Sequence, residues 1–179
     1  MRWVVLLRGV NVNGVTIKSA PLSAALGRAG FTGVRSVLAS GNVTLVAPSQ
    51  DRETVKGEVE EALRDAFGYD AWVVVLTPDR LAEIAAGYPF ARHDDVDHPY
   101  CVFASDQGQL AELVASHTAN EQESVALAGD VAYWRCPKGS STDTPFAKLA
   151  AARRWKPVVT TRNLRTVDKL VAVSTDGRS

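Results

Sequence analysis

The chain has 179 residues, a mass of 19.2 kDa, 46% hydrophobic and 22% charged residues, and a formal net charge of zero. That length allows one sizeable core or two small ones, and with this composition disorder is not the default. The apolar run near the start, Trp3 to Leu7, is too short for a spanning helix or a signal-peptide core, so we expect a cytoplasmic protein with no membrane attachment.

In chain order, Trp3–Leu7 reads as a strand. Ser19 is expected to cap a helix over Pro21–Ala29 that stops at Gly30. Val34–Ala39 and Val43–Ala47 read as a hairpin around the turn Ser40-Gly41-Asn42. Asp51–Phe67 carries the clearest helical stripe, through Val55, Val59, Ala62, Leu63 and Phe67. Ala71–Leu76 is a further strand, and Thr77-Pro78 starts a short helix. A polar connector, Arg92–His98, follows.

The order then recurs. Tyr100–Ala104 reads as a strand and Ser105–His117 as a helix. Ser124–Ala128 and Val131–Cys136 form a hairpin about Gly129-Asp130, Thr144-Pro145 opens a helix to Arg154, and Pro157–Thr160 is a last strand. Both halves read β-α-β-β-α-β. This predicts an α+β fold: a tandem duplication of two ferredoxin-like units with antiparallel sheets, plus a C-terminal helix over Asn163–Val173. The expected boundaries are 1–77 and 99–161 for the units, 78–98 for the short helix and connector, and 162–179 for the C-terminal helix and tail. The strands VVLL, WVVVL and YCVFA do not alternate, so the sheets are expected to cover one another or to meet across a homodimer. Cys101 and Cys136 fall in strands and read as buried, reduced thiols.

In a split β-α-β unit the first two strands are parallel and end at the same sheet edge. That places the loop Arg8-Gly-Val-Asn-Val-Asn-Gly14 beside the Ser40-Gly41-Asn42 turn. Arg8, Asn11, Asn13, Gly14, Ser40, Gly41 and Asn42 are therefore candidate ligand-binding residues, since Gly-rich turns present concave backbone N–H groups to anions. Such residues also serve wherever a loop needs left-handed conformations or local caps.

Charge is distributed unevenly. Residues 1–50 hold five basic and no acidic side chains, and residues 137–179 hold nine basic and three acidic ones. The intervening stretch holds six basic and seventeen acidic ones. The basic C-terminal stretch contains TTRNLRTVDKL, in which Arg162, Asn163 and Arg165 precede or open the last helix. Arginines in a first turn oppose the helix dipole, and a bound anion would remove that cost. An internal acidic partner would serve as well.

The string LLRGVNVNG, then SGNV, then TTRNLRTVDKL resembles the bacterial domain-of-unknown-function 1697 family over nearly the whole chain. The resemblance implies a tandem pair of α/β plaits and brings no activity with it. This chain has Lys18-Ser19 where members often have Lys-Met, and Leu164 where they often have Trp.

Other motifs carry less. The connector residues His93, Asp94, Asp95, Asp97 and His98 match no closed metal site, so no metal is expected. PKGSSTDTP lacks the order of a P-loop and reads as a loop with a helix cap. No nucleophile elbow occurs, His117 has no evident nucleophile partner, and no cofactor motif is found. Trp155, among Arg153, Arg154 and Lys156, reads as packing rather than as a base-stacking residue. The aromatics Tyr100, Phe103, Tyr133 and Trp134 alternate poorly for an open RNA platform. Three functional readings remain: binding of a phosphate-bearing ligand, nucleotide or nucleic-acid backbone at the basic ends; an enzyme acting on an anionic substrate there, for which no catalytic motif is found; or a structural or protein-interaction module.

Overall fold

The computed structural model describes residues 1–9, 16–68, 70, 72–93 and 95–176, with the backbone alone at 39 and 40. Among them the chain is a mixed α+β protein with two four-stranded antiparallel sheets and six helices. It divides into two compact units, Met1–Glu83 with the segment from Asp168 onward, and Ile84–Val167.

The first unit contains β1 (Arg2–Leu7), α1 (Ser19–Arg28), β2 (Thr32–Val37), β3 (Ala39–Val46), α2 (Arg52–Phe67) and β4 (Val73–Leu76), in the sheet order β2-β3-β1-β4. Its core packs Trp3, Val5 and Leu7 of β1 with Val43 and Leu45 of β3 against Leu22, Leu26, Val55, Val59 and Leu63 of the helices. Val4 and Leu6, which alternate with those β1 residues, are fully buried too. The continuous apolar run is thus buried on both faces. At the start of α2, the Asp51 carboxylate accepts the Thr54 N–H at 2.8 Å. Gly68 ends the helix in the left-handed region at φ 65°.

Two expectations in this unit are corrected. Ser19 does not cap α1. The Leu22 N–H bonds the Lys18 carbonyl, so the first turn closes one residue earlier and Ser19 lies inside it. The hairpin turn is not at Ser40–Asn42 either. Those residues belong to β3, where Leu6 pairs with Asn42, and the turn contracts to Leu38 at φ 63°.

After α3 (Pro78–Ala86), the second unit contains β5 (Asp97–Ala104), α4 (Gln107–Ala115), β6 (Ser124–Ala128), β7 (Val131–Pro137), α5 (Pro145–Ala151) and β8 (Val159–Asn163), in the order β6-β7-β5-β8. The last helix, α6 (Leu164–Thr175), follows directly. One face of the sheet packs Val102, Ala132 and Trp134 with Leu110, Leu113, Phe146 and Trp155. The opposite face is buried as well, with the Tyr133 hydroxyl donating to the Ile84 carbonyl at 2.9 Å. Pairing with Pro137 and Cys136 draws Asp97 and His98 out of the expected connector into β5.

Helix α5 is shorter than the sequence suggested. It stops at Ala151 because Ala152 turns to extended backbone and a run of turns carries Trp155 into the core. The last strand starts at Val159, opposite Ala104, and Pro157 stays outside the ladder. Both cysteines are buried, reduced thiols, and burial pushes the Cys136 thiol up to about 11, which leaves it inert.

Candidate functional site

In the first unit, the Leu6–Asn42 pairing carries the end of β1 alongside the start of β3, so Arg8 lies at the same sheet edge as Ser40, Gly41 and Asn42. The Arg8 N–H donates to the Trp72 carbonyl at 3.3 Å, and Gly9 follows at φ 78°, where a side chain would be strained. Asn42 is buried, and its amide donates to the Val37 carbonyl at 3.2 Å. That bond closes the hairpin turn. Asn11, Asn13 and Gly14 lie outside the described residues, as does the Ser40 side chain.

In the second unit, Arg162 is half-buried on β8 opposite Cys101. Its guanidinium donates to Thr160 Oγ1 at 2.7 Å and to the Thr161 carbonyl at 2.9 Å. Burial lowers its pKa to about 10, so it stays charged at neutral pH. The Asn163 Oδ1 accepts the Arg165 N–H at 2.9 Å, a cap on the first turn of α6, and Arg165 itself is exposed. Each unit thus holds part of the predicted set, Arg8 with Gly41 and Asn42 in one, and Arg162 with Asn163 and Arg165 in the other.

Sequence reasoning missed Glu123. It is a carboxylate in a polar loop with nothing to set it apart from Glu121, yet it is only 3% exposed. It accepts the Trp134 indole N–H at 2.9 Å and the Phe146 N–H at 2.8 Å, and His117 lies 3.9 Å away. Burial pushes its pKa up, but bonds from the Thr144 side chain, the Phe146 backbone, Asn120 and Trp134 outweigh that and hold it below the usual range. Thr144 also accepts the Ala147 N–H, so hydroxyl and carboxylate are both used to anchor the first turn of α5.

The remaining motifs are occupied locally. Trp155 is buried with Arg154 over its ring, and Arg154 also pairs with Glu112. Phe103 and Tyr133 are buried and offer no open platform for stacked bases. Asp97 pairs with Arg135 at 3.0 Å, and His98 contacts the Tyr100 hydroxyl at 3.3 Å. Among the described residues no helix is long and apolar enough to cross a membrane.

No curated protein matches the chain. Among solved structures it is similar to the conserved bacterial protein SP0830 from Streptococcus pneumoniae, at 21% identity and a TM-score of 0.80 over 97% of this chain and 98% of that one. That likeness shows the fold alone. An unknown protein from Galdieria sulphuraria aligns over 90% of this chain and 96% of its own at 13% identity, but with a TM-score of 0.24, which carries no argument. The profile of the family described as a protein of unknown function, DUF1697, matches residues 1–133. With its first strand, its Arg8 loop and most of both sheets inside that match, the chain belongs to the DUF1697 family.

Proposed function

We propose that the protein binds a phosphate-bearing or other anionic ligand, and that its two units are ferredoxin-like plaits derived by duplication. The repeated β-α-β-β-α-β order and the matching strand orders β2-β3-β1-β4 and β6-β7-β5-β8 support the duplication.

The observation that carries the ligand reading is Arg162, a charged guanidinium drawn partly out of water where β8 runs straight into α6. Arg165 joins it in a first turn that holds no acid. An anion there would meet two guanidinium groups and offset the dipole penalty. In the first unit, Arg8 with Gly41 and Asn42 is the corresponding basic group.

The test is calorimetric titration with pyrophosphate at low and moderate salt. Wild type should bind, more weakly as salt rises. Arg165→Ala should cost about fivefold or more in affinity, and Arg162→Lys, which keeps the charge but loses the fork, should cost a similar factor. Wild-type affinity in both folded variants, or no binding by wild type, overturns this reading. A structural role is the second reading, favoured by Asn42 and Asn163, whose side chains bond nearby backbone. Loss of folding in Arg162→Ala, with pyrophosphate unbound by wild type, would select it.

A further inference from the structure

In each unit a helix follows the second strand of the hairpin and covers one face of the sheet. In the first unit this is α2, with 16 residues, and in the second it is α5, with 7. At about 1.5 Å per residue, that is roughly 24 Å of cover against roughly 10 Å. Beyond Phe146, α5 packs Ala147, Leu149 and Ala150 against this core, and two of the three are alanines.

The result is a cavity of about 370 Å³ within the second unit. Its walls include Tyr100 and Trp134 from the sheet, Ala147 and Ala150 from α5, Thr161 from β8, and the exposed Lys156. Tyr100 and Trp134 are paired across β5 and β7, and their rings stack with centroids 4.9 Å apart and planes 26° apart. The indole cannot turn freely, because its N–H is held by the buried Glu123, which also holds the Phe146 N–H at the start of α5. The aromatic wall is thus locked to the helix that bounds the cavity. Its volume falls within the range of small-ligand sites.

We propose that this cavity binds a planar ring carrying one acid group, with the ring against Tyr100 and Trp134 and the acid at Lys156. The inference goes beyond the anion reading at Arg162 and does not depend on it. Two sources share this chemistry, a nucleoside monophosphate and an aryl carboxylate.

Calorimetric titration with AMP, 2-naphthoate and neutral adenosine tests it. Wild type should bind both acids, and tighter binding of AMP or of 2-naphthoate tells which source the site prefers. Ala150→Leu, a helix-compatible change that fills the cavity, should weaken every probe at least tenfold while the protein stays folded. Lys156→Ala should weaken both acids about two- to fivefold and leave adenosine unchanged. Arg165→Ala should leave neutral adenosine unchanged, which separates this site from the basic junction. Failure of wild type to bind either acid at millimolar concentration overturns the proposal. So does wild-type adenosine binding in folded Ala150→Leu, loss of adenosine binding in Arg165→Ala, or an equal effect of Lys156→Ala on AMP and adenosine.

Discussion

Tyr88 and Tyr133 sit edge-on to one another with ring centroids 5.8 Å apart, and their hydroxyls have opposite fates. The Tyr133 hydroxyl reaches the Ile84 carbonyl, whereas that of Tyr88 is buried with no hydrogen-bond partner among the described residues. Burial pushes the Tyr88 phenol well above its usual range, as expected of a group stripped of water. Removing an unsatisfied hydroxyl loses no bond and recovers its desolvation cost. Tyr88→Phe is therefore expected to raise unfolding stability by about 1 kcal/mol in urea titration with an unchanged slope. Its edge contact with Phe90, at 5.5 Å, would survive the change. Tyr133→Phe should instead lower stability by about 1 kcal/mol. A loss of stability in Tyr88→Phe would mean that its hydroxyl is satisfied after all. The sequence could not separate the two tyrosines, since the carbonyl that distinguishes them lies 49 residues from Tyr133.

Helix α2 shows what is legible at the scale of an element. Its apolar stripe, the Asp51 cap and the Gly68 stop are all local, and the structure uses each of them. The β2–β3 turn shows what is not. Ser-Gly-Asn has strong turn chemistry, but the ladder with β1 and the buried Asn42–Val37 bond pull those residues into β3. The sharp bend then falls on Leu38, which is left-handed and 71% exposed. A side chain in that region costs about 1–2 kcal/mol, part of which a glycine regains after its larger loss of chain entropy. Leu38→Gly should raise stability by about 0.5–1 kcal/mol, read as a melting point a few degrees higher. Leu38→Ala keeps the Cβ and should give no gain. Equal gains from Gly and Ala would show that removing the exposed apolar side chain, and not relief of the backbone, is responsible. Helix α5 is shorter than its composition suggests for a related reason. The alanines around 150 favour helix, but burying Trp155 required the chain to leave it.

At the scale of the whole molecule, the charge pattern points to basic ends, while a buried carboxylate, Glu123, lies in the acidic middle. Arg8, Arg162 and Arg165 stand out in the sequence because loops and helix starts announce themselves. Glu123 does not, because its donors Trp134 and Phe146 reach it only after β7 and α5 have assembled. Its depressed pKa sets a direction for stability against pH. An unfolded carboxyl titrates near 4.5, and the native one titrates lower, so between the two values the unfolded chain binds more protons. Stability contributed by Glu123 is thus fully present above about 4.5 and is lost as pH falls through the native value. Glu123→Gln should lower stability at pH 7 by roughly 2 kcal/mol, since an amide cannot accept every donor that the carboxylate satisfies. It should also flatten the decline on acidification, because a neutral amide has no proton to take up. Urea unfolding at pH 7 and at pH 3.5, followed by tryptophan fluorescence, measures both effects. A variant that loses the same stability at the two pH values as wild type loses would show that Glu123 anchors α5 through shape alone. A variant whose deficit shrinks toward pH 3.5 would tie the acid sensitivity of the fold to this single buried charge.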